Sequence, residues 1–176
     1  MKNNRTHWLG LVACLPAILM IGGCAELSYY MQSVDGHLTV VHQTTDIEDL
    51  IDDENTDKKL IERLKLVGQI RQFAMKELSL PESDSYTEYA DLGRDYVLKN
   101  LFAAEAFSIK PKQWCYPVVG CAGYRGYFNE QQLARFAKDL RQQDYDVYIA
   151  NVPAYSTLGW FDDPVLNTFV YWPDYA

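Results

Sequence analysis

The chain has 176 residues, 48% of them hydrophobic and 14% aromatic, with 16 Lys and Arg against 24 Asp and Glu for a net charge of −8. That length suits one domain with a usable core, and that apolar content excludes intrinsic disorder. The acidic balance excludes a nucleic-acid partner, because neutralising phosphates needs clustered Lys and Arg.

The first elements belong to export rather than to the fold. Lys2 and Arg5 make a basic start, and Trp8 to Ile21 is an almost unbroken apolar run. The run is too short to span a bilayer comfortably and suits a signal-peptide core, so residues 1–23 read as a signal peptide. Leu19-Met20-Ile21-Gly22-Gly23-Cys24 closes it. This stretch resembles the lipobox of bacterial lipoproteins, in which the cysteine is acylated and becomes the first residue. The resemblance implies a membrane partner through lipid on Cys24. Ala25, where Asp would signal retention, implies an outer membrane lipoprotein facing the periplasm. Residues 24–176 then form a single α+β domain.

In that domain Leu27, Tyr30, Met31, Val34, Leu38 and Val41 recur at three- and four-residue steps, predicting an amphipathic helix whose stripe is core. Asp46 to Glu54 is acidic and reads as a turn or linker. Thr56 caps a second helix, with Asp57 at its positive end, and Leu60, Leu64, Val67, Ile70, Phe73, Ala74 and Leu78 line one face until Leu80-Pro81 stops it. The two helices are expected to pair as an antiparallel hairpin. Ser83 to Leu92 reads as a loop, and Tyr96 to Phe107 as a strand or a helix, the strand being favoured. Trp114 to Val119 and Gly123 to Phe128 read as two paired strands broken at Gly120. Asn129 caps a helix running to Gln143, with Leu133, Phe136, Ala137 and Leu140 on one face. Tyr145 to Val152 alternates as a strand, and Pro153 to Asp163 is a loop. Helices and strands interleave without a βαβ rhythm, so the class is α+β: a helical hairpin, then a small mixed or antiparallel sheet with a packed helix. Val165, Leu166, Phe169, Val170, Tyr171 and Trp172 crowd the last dozen residues and need a surface, either on this chain's own core or on further polypeptide.

Chemistry is sparse. Beyond the leader the histidines are His37 and His42, five apart, and the chain contains no H-E-x-x-H and no G-x-S-x-G. No cofactor is expected to bind this chain. Cys115 and Cys121 are left once Cys14 departs with the leader and Cys24 is modified, and an oxidising compartment predicts a disulfide between them. A redox pair and half of a metal site are the other readings. Two clusters stand out. Tyr124-Arg125-Gly126-Tyr127-Phe128 puts a cation among rings, either to pair with an acid across a sheet or to line a cleft. The loop through Tyr155, Asp162 and Asp163 mixes hydroxyls, aromatics and paired acids. It is either a capped turn leading into a helix at Pro164 or a cleft wall that receives a positively charged substrate group. Tyr155, Asp162, Asp163 and Arg125 are thus the candidate substrate-binding residues.

Five ordered segments give a more specific reading: Leu80-Pro81 with Ser85-Tyr86, Tyr89 to Arg94, Trp114 to Val118 with Gly120-Cys121, Tyr124 to Phe128, and Ala154 to Pro164. Together they resemble a family of bacterial predicted aminopeptidases, typically lipoproteins, through nearly the whole mature chain. A typical member continues into a helix bearing H-E-L-A-H and a downstream acidic ligand. The resemblance therefore implies the amino-terminal half of a zincin-like metalloprotease domain, truncated before its zinc ligands and catalytic Glu. It also implies zinc and a peptide substrate in an intact member, a missing or separately encoded carboxyl half as partner, and no hydrolase activity from these 176 residues by themselves. The alternative is a non-enzymatic periplasmic lipoprotein that binds a peptide, a cell-wall component or a protein.

Overall fold

The computed structural model describes residues 26–116 and 120–171. The expected leader, the lipidation site Cys24 and Trp172 lie outside them. The fold is α+β, as the interleaved elements predict. A helix α1 covers 26–41. It is followed by β1 (Thr44–Asp46), α2 (Ile47–Asp52), α3 (Lys58–Lys76), β2 (Glu88–Ala90), β3 (Leu98–Glu105), β4 (Trp114–Tyr116), β5 (Gly120–Ala122), β6 (Arg125–Tyr127), α4 (Glu130–Arg141), β7 (Tyr145–Val152), β8 (Val165–Leu166) and α5 (Asn167–Val170).

The strands form three small sheets. In the first, β2 lies between β1, antiparallel to it with Thr45 opposite Tyr89, and β8, parallel to it with Tyr89 opposite Val165. In the second, β3 lies between β6 and β7 and is antiparallel to both, with Asn100 opposite Gly126 and Ala150. The third is the β4–β5 hairpin, where Cys115 faces Cys121 and the two form a disulfide.

Several expectations hold. Asn129 caps α4 by accepting from the Gln132 N–H, and Leu133, Ala137 and Leu140 are buried beneath it. β3 and β7 pair along their full lengths, and β7 turns Tyr145, Val147 and Ile149 toward the core beneath α4. Others are corrected. Asp46–Glu54 is not a linker: Asp46 ends β1 and caps α2, accepting from the Glu48 N–H. Asp57, not Thr56, caps α3, accepting from the N–H groups of Lys59 and Leu60. The loop expected over 83–92 contains β2, the middle strand of the first sheet. The strands read as paired across Gly120 take different partners, β4 joining β5 while β6 joins β3.

The two long helices serve different cores instead of forming a hairpin. Leu64 of α3 is buried with Ile47, Tyr89 and Val165. Val40 of α1 is buried with Ala90, Val97, Leu98 and Leu166. At its other end α1 rests Tyr29 on the cluster of Leu101, Trp114, Tyr127, Leu133 and Leu140. Its docked face is 29, 32, 36 and 40, opposite the apolar stripe expected to be core. Gln32 is buried there. Its Oε1 accepts from the N–H groups of Phe128 and Asn129 at 2.9 and 3.2 Å, bracing the turn from β6 into α4. Gly36 lets Phe128 lie against the helix, since a Cβ there would sit 2.1 Å from the Phe128 ring. The crowded carboxyl-terminal segment finds its surface here: Val165 and Leu166 are buried, and Phe169 and Val170 pack on the clusters beside them.

Candidate functional site

The loop from 153 to 164 leaves the long strand β7 and returns to the first sheet at β8, so both ends are fixed by strand pairing. Asp163 organises it. Buried, its carboxylate accepts from Ser156 Oγ at 2.9 Å and from the Thr157 N–H at 3.1 Å. Its own N–H donates to Ser85 Oγ, and its carbonyl accepts from the Tyr86 N–H at 2.7 Å, tying the loop to the segment before β2. Ser156 Oγ in turn accepts from the Leu158 N–H, and Thr157 Oγ1 both donates to the Phe161 carbonyl and accepts from the Phe161 N–H. Leu158 and Gly159 have φ of 58° and 79°, the left-handed geometry that reverses the chain tightly.

With its polar groups satisfied at the base, the loop turns its apolar groups outward. Leu158, Trp160 and Phe161 are 70%, 69% and 62% exposed, and Asp162 is exposed beside them. Hydrophobic side chains are normally what a loop buries, so a held tip of this composition marks a contact surface.

Tyr155 forms the inner edge. It is half-buried against Phe128, and its hydroxyl lies 2.7 Å from Nδ1 of His37 on α1. Burial first, and then the charge of Asp163, push its phenol up to about 12. The His37 ring also lies 5.2 Å from the Phe161 ring, so α1 and the loop meet at this histidine.

Arg125 does not join this site. It is buried under α1 and forks onto both carboxylate oxygens of Glu26 at 3.0 and 3.2 Å. Its guanidinium lies 3.8 Å from the Tyr29 ring centre and 4.9 Å from that of Phe136. Burial, the largest influence, would lower its pKa, but the Glu26 bond and charge together with the neighbouring Tyr127 and Tyr116 phenols outweigh it and raise the pKa. The expected acid is therefore present, but it comes from a helix instead of across the sheet. The helix expected at Pro164 is also absent: β8 starts at Val165, and Asp163 serves the loop, not a helix terminus.

Of the four candidates, Tyr155, Asp162 and Asp163 share one loop, and the structure adds His37, Ser85 and Ser156, which the sequence reading names but does not assign to the site. Only Ser156 lies close to Asp163 in the chain; His37 is 118 residues from Tyr155, a separation that carries no local pattern.

The described residues do not fit a zinc ion. Nδ1 of His37 is taken by Tyr155, Cys115 and Cys121 are bonded to each other, and among the described residues no group of three or more His, Cys, Asp or Glu converges. Nor is any helix among them long and apolar enough to cross a membrane.

A family model described as a putative aminopeptidase matches residues 28–176. No curated protein and no solved structure matches the chain.

Proposed function

Because the chain belongs to the putative aminopeptidase family, we propose that it supplies the peptide-recognition part of an aminopeptidase held at a membrane surface. The loop 153–164 receives the amino-terminal residues of a peptide. Asp162 attracts the charged α-amino group, while Trp160 and Phe161 offer ring faces to that cation and apolar area to the side chains behind it. The observation that carries this reading is the tip itself: three large apolar side chains and one carboxylate, exposed together on a loop whose base is fixed by Asp163. The zinc chemistry implied by the family resemblance needs ligands that the described residues do not bring together, so hydrolysis belongs to an enzyme completed by other polypeptide. The chain is attached through lipid on Cys24 and faces the periplasm of the outer membrane.

The same loop would serve a non-enzymatic peptide-binding lipoprotein, a reading favoured by the misfit of the described residues to a metal. Both readings require peptide binding. Tryptophan fluorescence should report tighter binding of a short apolar peptide with a free amino end than of its acetylated twin. Asp162→Asn should erase that preference, and Trp160→Ala should weaken both. Equal binding of the two peptides by the unmodified protein would overturn the assignment of the loop. In an enzymatically complete relative, Asp162→Asn should raise KM for free-amine peptides and leave kcat nearly unchanged.

A further inference from the structure

We infer that the outward face of α1 lies against a lipid bilayer, so that this helix is at once part of the fold and the membrane-contact surface of the protein. The inference rests on the lipid attachment at Cys24 proposed above and adds a surface and an orientation to it. Leu27, Met31, Val34 and Leu38 fall at steps of four, three and four, which align them along one side of the helix. They are 60%, 64%, 59% and 47% exposed. The stripe is about 16 Å long at 1.5 Å per residue. The opposite side is fully committed, with Gln32 bracing the β6–α4 turn and Gly36 closed by Phe128.

What covers the stripe follows from where it begins. Twenty-five residues precede the described chain, and among them the apolar run Trp8 to Ile21 and Cys24 stand directly before the helix. Leu27 is three residues beyond Cys24, less than one helical turn. No slack linker fits between an acyl chain on Cys24 and the stripe, and the start of the helix is clamped to the body by Glu26 on buried Arg125. Lipid on Cys24 therefore brings the bilayer to this face. Between 26 and 41 the charged residues are Glu26 and Asp35, with no Lys or Arg. The contact is then apolar and independent of anionic lipid, unlike a basic amphipathic helix.

The test uses the mature acylated protein on phosphatidylcholine vesicles, with a nitroxide on one introduced cysteine: Met31→Cys, Leu38→Cys or, beyond α4, Gln143→Cys. With Cys24 acylated and Cys115 bonded to Cys121, that thiol is the reactive one. On vesicles, labels at 31 and 38 should lose accessibility to a water-soluble relaxation agent and gain accessibility to oxygen, while the label at 143 stays unchanged. If the protein floats with the vesicles but labels at 31 and 38 remain as wet as that at 143, the inference fails and the anchor stands. Should the protein carry no lipid and stay in solution, both fall. Labels already shielded before vesicles are added would show that polypeptide, not lipid, covers the face, and would overturn the inference in favour of a protein partner.

Discussion

Asp162 and Asp163 are adjacent, yet their surroundings separate their roles. Asp163 is buried and holds the Ser156 hydroxyl and the Thr157 backbone N–H, while Asp162 faces solvent. Asp163→Ala would strand those donors and should lower stability by about 1–3 kcal/mol. Asp162→Ala should stay within about 0.5 kcal/mol of the parent, as an exposed residue without such partners. Urea denaturation of the two variants checks the contrast, and equal losses would remove Asp163 from the base of the loop. The sequence shows two acids among aromatics but not which of them is spent on the fold. That distinction depends on the turn at Leu158 and Gly159, which folds Ser156 and Thr157 back onto the Asp163 carboxylate. Arg125 is a similar case. Its aromatic neighbours in the chain are legible, but Tyr29 and Glu26, which engage it, arrive from another element.

Among the elements, α1 shows how a correct pattern can assign the wrong face. Periodicity finds the helix but cannot say which stripe docks, because the docked face mixes Tyr29 and Val40 with Gln32 and Gly36 and is less apolar than the exposed stripe opposite. Gln32 belongs inside because it answers two backbone N–H groups, a need invisible to hydropathy. Strand β7 declares itself by alternation, whereas β3, also eight residues, does not alternate and is fixed by its pairing with β6 and β7. Strands β1, β2 and β8, three residues or fewer, are shorter than any period and are fixed by tertiary pairing. Two glycines sharpen the account of α1. Ala in place of a helical Gly ordinarily stabilises by about 0.5–1 kcal/mol. Gly68 on α3 has open space where a Cβ would go, so Gly68→Ala should show that gain. Gly36→Ala should instead destabilise by about 1–3 kcal/mol, because the new methyl drives α1 away from Phe128. Thermal or urea unfolding of both variants should return opposite signs.

For the molecule as a whole, buried phenols tie stability to alkaline pH. Burial raises the pKa of Tyr89, Tyr116, Tyr127 and Tyr155 above the ordinary value of 10, in three different core clusters. The unfolded chain therefore releases these protons first. The stability that they contribute is complete below about pH 10 and declines as pH rises through the folded-state values. Urea midpoints should hold steady up to about pH 9 and fall by about pH 11, with phenolate absorbance rising in step with unfolding. A midpoint unchanged at the higher pH would contradict the burial of these rings. The parallel pairing of β2 with β8 has a further consequence, in time as well as space. Ile47, Leu64 and Tyr89 close their cluster on Val165, so helices made early by the ribosome wait for a strand made more than seventy residues after β2. Until that strand arrives, a nascent chain carries an open greasy seam that is prone to wrong association.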